Sequence, residues 1–316
     1  MKFVKNFWQT LKRSGGEFVQ DNGLKLSSSL SYYTIFSIGP LLILIISLAG
    51  IFWGREAVQG KIYGQIKGLV GNGAAQQIQD IIQNIEKAQL GTSGAILGLI
   101  VLLIGATGVF TEMQDSINFI WSVKAKPKRG FVKLIINRLI SFSLILVLGF
   151  LLTVSLILNA LTDLLHDRLA QHLSNGSIYL FHTIDFLFII ASITCLFATI
   201  YKVLPDVRID WKDAFLGAIF TAFLFIIGKF LISLYVGHSN VGTTYGAAGS
   251  IIILMLWIYY TSIILFFGAE FTKVYSINYG SGIKPSETAV FIVKSETKEL
   301  PDSERIMSSS KKSKGG

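Results

Sequence analysis

Lys229 is the one charged residue in the apolar stretch TAFLFIIGKFLISLYV, Thr221–Val236. An ammonium in such a stretch needs a counter-charge or a water-filled cavity. Asp185, in the preceding apolar run, offers the opposite sign. If the two runs are antiparallel helices, Lys229 lies roughly 10 Å from the end of its run and Asp185 roughly 9 Å into its own, at about 1.5 Å per residue. The two are therefore at matching depth. His182 stands one helical turn from Asp185, and Tyr245 follows the later run. Two roles fit: a structural ion pair between Asp185 and Lys229, or a pair within an outward-facing pathway for substrate or protons, with His182 and Tyr245 as candidate contributors.

A second polar set gathers at the opposite ends of the runs: Glu112, Asp115, Asn118, Arg138, Lys202 and Glu270. Interfacial ion pairs holding helix ends and a cytoplasmic gate are the two readings of it. Hydrolytic chemistry is poorly served. Metal-dependent phosphodiester cleavage needs clustered His and carboxylate ligands around metals about 4 Å apart. The four histidines, His166, His172, His182 and His238, form no H-x-H-x-D-H pattern. No phosphate-cradling G-x-x-x-x-G-K-[ST] loop is present either. The expectation is no enzyme, no metal and no cofactor.

The elements that must position these residues are apolar and long. Of the 316 residues 52% are hydrophobic and only 15% charged, against about 25% charged in a soluble domain. Runs over about 31–52, 93–110, 139–161, 179–203, 215–236 and 250–271 each approach the ~20 residues a helix needs to cross ~30 Å of hydrocarbon. The fold class read from this is an all-α integral membrane protein, a bundle of six transmembrane helices. Residues 1–280 form the membrane domain and 281–316 a disordered cytoplasmic tail, rich in Ser, Lys and Glu.

Orientation follows from the 28 Lys and Arg. Apart from Lys229, only Arg55, Lys61, Lys67, Lys87 and Arg168 fall on one side; all others fall on the side of the two termini. The positive-inside rule places both termini in the cytoplasm. The net charge of +9 is then a matter of topology and of the anionic cytoplasmic leaflet, not of nucleic acid. The first apolar run starts too far from the N-terminus for a cleavable signal and stays as an anchor. Cys195, the single cysteine, is read as packing.

Two segments outside the runs are amphipathic. Phe3, Val4, Phe7, Trp8 and Leu11 share a helical face away from Lys5, Lys12 and Arg13, which predicts an N-terminal interfacial helix lying on the cytoplasmic leaflet or against the protein's own helix ends. In the first outer loop Ile62, Ile66, Leu69 and Val70, then Ile78, Ile81, Ile82 and Ile85, predict two short helices broken at Gly71-Asn72-Gly73. Gly94, Gly98, Gly105 and Gly108 in the second run allow close helix packing, and Pro40 kinks the first.

Several stretches carry a resemblance: LSYYTIFSIGPLL in the first run, TEMQDSINFIW leaving the second, and YKVLPD after the fourth with Trp211 and Gly217 beyond it. Tyr245-Gly246, LWIYY (Leu256–Tyr260) and GAE (Gly268–Glu270) complete the set. Together these resemble the YihY/BrkB family of bacterial inner-membrane proteins, over about residues 1–280. The resemblance implies six spans with both termini cytoplasmic. Family members have been described as transporters, including of lipid-like molecules, and as virulence or serum-resistance factors; many carry the label ribonuclease BN, which the residues above disfavour. The expected function is transport of a lipid-like or small amphiphilic molecule, the alternative a non-transporting scaffold or envelope-integrity factor. The partners implied are anionic membrane lipids and a small amphiphilic substrate, with homo-oligomerisation left open and no nucleic acid.

Overall fold

A computed structural model of the chain describes residues 2–37, 76, 79, 108–126, 176–238 and 247–294. Helix α1 (Lys2–Gln20) opens the chain. It stops at Asn22, which takes a left-handed φ of 54° and so turns the chain within two residues. Helix α2 (23–37) starts at once, with the Phe18 ring lying over Gly23 where any side chain would collide. Helix α3 (108–120) ends similarly, at Ser122 with φ 56°, and feeds strand β1 (Val123–Ala125). Helix α4 (Gly176–Val203), strand β2 (Val207–Arg208), helix α5 (Trp211–His238) and helix α6 (Ala247–Tyr279) follow. Strands β3 (Lys284–Pro285) and β4 (Ala289–Phe291) lie beyond α6.

α5 packs between α4 and α6, and α1 lies on α6. The α5–α6 contact is close because glycine and threonine alternate across it. On α5, Gly217 precedes Thr221 by one turn; on α6, Gly268 precedes Thr272 by one turn. The helices run antiparallel, so Gly217 faces Thr272 and Gly268 faces Thr221. Each threonine hydroxyl donates back to the glycine carbonyl of its own helix, Thr221 to Gly217 at 2.7 Å and Thr272 to Gly268 at 2.6 Å. The hydroxyls are thereby satisfied without water, as a lipid-facing bundle requires. Tyr201 of α4 completes the seam: its fully buried hydroxyl donates to Leu265 O at 2.8 Å and lies 3.0 Å from Thr221 Oγ1. Below it Phe220 stacks on Phe271 at 3.9 Å, with Phe7 of α1 against both rings.

At one end of the helices two small antiparallel ladders form, β1 with β4 and β2 with β3. Val123 pairs Phe291 and Ala125 pairs Ala289, while Val207 pairs Pro285 and Arg208 pairs Lys284. This corrects the expectation of a disordered tail from residue 281. Up to residue 294 the chain is built into the fold, because its backbone completes the ladders of two connections that have no other partner strand among the described residues. Ala289 packs into the same core as Val123 and Trp121.

The helices at the fourth, fifth and sixth apolar runs coincide with those runs and extend past them. Two are long and apolar enough to cross a membrane, Trp211–Ile232 and Ile252–Tyr279, with a shorter apolar segment at Ile189–Val203. The first and second runs enter the described residues only at 31–37 and 108–110, and the third, at 139–161, lies outside them. So do Pro40 and the expected outer-loop helices, except Gln76 and Gln79, which are helical.

A β-carbon at Gly217 would stand 1.9 Å from Thr272 Oγ1. Gly217→Ala should therefore lower stability by about 1–3 kcal/mol, the usual cost of overpacking. It would be read as a lower melting midpoint of the detergent-solubilised protein. Gly217→Ala combined with Thr272→Gly should recover part of the loss; a midpoint unmoved by Gly217→Ala would contradict the seam.

Candidate functional site

Arg13 and Glu17 lie four residues apart on one face of α1, and Asp21, four further on, stands in the turn just past its end. Glu270 and Lys273 share a face of α6. The packing of α1 on α6 brings these faces together around the Lys273 ammonium. Its Nζ lies 2.7 Å from Glu270 Oε1, 2.8 Å from Glu17 Oε2 and 3.8 Å from Asp21 Oδ2. Arg13 donates Nε–H to Glu17 Oε1 at 2.7 Å and reaches Asn278 Oδ1 at 3.2 Å. Lys294, past β4, places Nζ 2.5 Å from Asp21 Oδ2 and 3.3 Å from Ile120 O, above the Phe119 ring. Arg13, Lys273 and Lys294 thus face Glu17, Asp21 and Glu270. Lys273 and Asp21 are buried, and Glu270 is 0% exposed.

Burial works to raise the Glu17 carboxyl. Hydrogen bonds from Lys273 and Arg13, with the Lys273 charge, outweigh it and hold Glu17 at about 2, against an ordinary 4.5. Ionised Glu17 is therefore part of what attaches α1 to the bundle.

Three further polar contacts tie the same end. Asp213, in the first turn of α5, accepts on Oδ2 from Ser276 Oγ at 2.8 Å, Ser281 N at 2.9 Å and Ser281 Oγ at 3.0 Å. Gly280 leaves room for that carboxylate. Asn118 and Asp206 bond twice, Nδ2 to Oδ2 at 3.0 Å and Asp206 N to Asn118 Oδ1 at 2.8 Å. The buried Trp121 indole donates to Ala269 O at 2.9 Å. Among the described residues no group of His, Cys, Asp and Glu is placed to hold a metal; the cation among the carboxylates is Lys273 itself.

The polar set read from the sequence is divided by the structure. Glu270 joins Lys273. Asn118 joins Asp206. Lys202 donates to Ile209 O and lies 5.8 Å over the Trp211 ring. Glu112 is half-buried and Asp115 exposed on α3, and Arg138 lies outside the described residues. Lys229 is half-buried on α5. The side chains of Asp185 and His182, and all of Tyr245, lie outside the described residues. The sequence reading missed Glu17, Asp21, Lys273 and Lys294. One signal was available: Lys273 three residues after Glu270 in an apolar helix is the spacing of an ion pair.

Helices long and apolar enough to span a bilayer, packed through glycine and closed at one end by polar contacts, define a helical membrane protein. The family model described as Virulence factor BrkB matches residues 15–290, and the chain belongs to that family. It is similar to a "UPF0761 membrane protein" of Azotobacter vinelandii, 30% identical over 271 residues, 84% of this chain and 62% of the relative. It is similar also to proteins of that name in Pseudoalteromonas atlantica, 26% identical over 86% of this chain and 87% of the relative, and Psychromonas ingrahamii, 30% identical over 80% and 82%. The chain thus spans under two thirds of the Azotobacter protein and most of the other two. No solved structure matches it.

Lys273→Met would leave buried carboxylates without their central cation and should cost about 3–5 kcal/mol, seen as a lowered thermal midpoint. The acid response has a definite sign. Glu17 titrates near 2 when folded and near 4.5 otherwise, so its stabilisation is complete above 4.5 and is lost as pH falls toward 2. Glu17→Gln should flatten the midpoint-versus-pH curve in that window; a curve parallel to wild type would show that Glu17 does not hold α1.

Proposed function

We propose that this chain is a multi-pass protein of the bacterial inner membrane, with six spans and both termini cytoplasmic, that moves a small amphiphilic or lipid-like molecule and catalyses no reaction. Lys229 carries this reading. It sits half-buried within Trp211–Ile232, a helix apolar enough to cross a bilayer, and a charge retained there marks a pair or a wet path. The rest of α5 supports immersion in lipid: Phe215, Ile219, Phe223, Ile227, Phe230 and Leu234 recur at helical spacing and are all exposed. Lys202, Arg208, Lys212 and Lys284 lie where α4 ends, α5 begins and α6 leads out, which supports a cytoplasmic assignment of that end. The close glycine–threonine seam favours a second reading, a non-transporting scaffold.

Orientation is checked by cysteine labelling in a Cys195→Ala background, since Cys195 is exposed. Gly73→Cys should label in intact cells. Val293→Cys, at a site 94% exposed, should label only after permeabilisation; the reverse pattern would invert the topology.

Flux across liposomes holding the purified protein, over a panel of lipids and amphiphiles, separates transporter from scaffold. Asp185→Asn and Lys229→Met should each lower folded yield, and the double variant should restore yield, because no unpaired buried charge remains. Transport predicts that the double variant folds without moving substrate. A wild-type protein that moves nothing in the panel, together with a double variant that regains cellular function, would select the scaffold.

A further inference from the structure

Glu270 is fully buried, and its two oxygens are in different circumstances. Oε1 receives the Lys273 ammonium at 2.7 Å, whereas Oε2 is buried with no hydrogen-bond donor among the described residues. A carboxylate oxygen removed from water and given no donor is costly. Glu17 is brought beside Glu270 by the ammonium they share, with Lys273 Nζ 2.8 Å from Glu17 Oε2 and 2.7 Å from Glu270 Oε1, and two ionised carboxylates have no hydrogen to share. One proton resolves this arrangement, because it turns an acceptor without a donor into a donor with an acceptor.

We propose that Glu270 is a proton-binding carboxyl, whose proton is held in a hydrogen bond to the Glu17 carboxylate while Lys273 donates to Glu270 Oε1 and to Glu17 Oε2. Glu17 suits the acceptor role, since it stays ionised down to about pH 2. It is also the way in: its side chain is 22% exposed and that of Glu270 0%. A proton from the solution reaches Glu17 and passes to Glu270. Glu17 is left a carboxylate, and the cluster gains one positive charge. The other groups around the site are already engaged. In the turn after α1, Asp21 takes Lys294 and Lys273, and on α1 Arg13 takes Glu17. Tyr201 of α4 is bonded to Leu265 O and Thr221, and Asp213 of α5 to Ser276 and Ser281. Protonation neutralises the carboxyl inside a candidate span and leaves the Lys273 charge to Glu17 and Asp21. The hold of α1 on α6 thereby becomes linked to pH. This inference is independent of transport, because proton uptake is read in the purified protein whether or not anything is moved.

The test is infrared pH-difference spectroscopy of the full-length protein in detergent. The carbonyl stretch of a protonated carboxyl should grow as the pH is lowered, shift in D2O, and disappear as the pH is raised. Glu270→Gln should abolish it. Glu17→Gln, which retains Glu270 but removes the charged acceptor, should move it. No band lost between wild type and Glu270→Gln, or a band unmoved by Glu17→Gln, would overturn the proposal. Should Glu270→Gln fail to fold, Glu270→Asp and Glu17→Gln decide: a band that neither variant shifts belongs to another carboxyl.

Discussion

A lysine ammonium near the end of an apolar helix cannot be left alone, and the inner architecture of this protein follows from where Lys273 finds its partners. Its own helix supplies Glu270, α1 supplies Glu17, and the turn after α1 supplies Asp21. Meeting that demand seats α1 along α6, which brings Phe7 onto Phe220 and Phe271 and Phe18 onto Phe267. Asp21 then draws in Lys294, so the segment beyond β4 is anchored to the turn after α1. One buried cation thus organises parts of the chain more than 250 residues apart (Arg13 to Asn278 spans 265).

Packing within the bilayer obeys a different constraint. Between apolar helices in lipid no hydrophobic gain drives association, so contact depends on fit and on satisfied polar atoms. The α5–α6 seam meets both conditions: glycine permits the approach, and each threonine closes its own hydrogen bond on its own helix. Outside the seam, aromatic and branched side chains of α5 remain exposed, as lipid contact permits. Polar interactions that would be costly in hydrocarbon are concentrated at one end, around Lys273, Asp213 and Asn118–Asp206.

The sequence made the apolar runs legible because hydropathy is a local property, and α4, α5 and α6 coincide with three of the expected spans. Family membership was legible for the same reason, since TEMQDSINFIW and YKVLPD are contiguous. In the structure those motifs have physical work: Trp121 bonds to Ala269 O, and Asn118 holds Asp206. The polar set of Glu112, Asp115, Asn118, Arg138, Lys202 and Glu270 was gathered by shared depth alone, and depth does not select partners. Lys202 turned to a backbone carbonyl, while Glu270 chose a lysine one turn away.

The tail shows the same division. The tail from residue 281 to 316 is rich in Ser, Lys and Glu as a whole, which signals a solvated segment, yet Lys284–Lys294 within it carries the apolar run Ala289–Val293, its backbone completes two ladders and Lys294 meets Asp21. Strand pairing and buried ion pairs join residues far apart in the chain, so neither is written in local composition. The sequence by itself determined the helical membrane class, the runs available to span and the bias of basic charge, because each depends on residue type and short-range periodicity. The tertiary structure alone decided that Lys273 is the centre of the polar end, that Gly217 and Gly268 form the α5–α6 seam, and that Glu270 carries an oxygen with no donor among the described residues. Those outcomes depend on which faces meet, and that is set by packing in three dimensions.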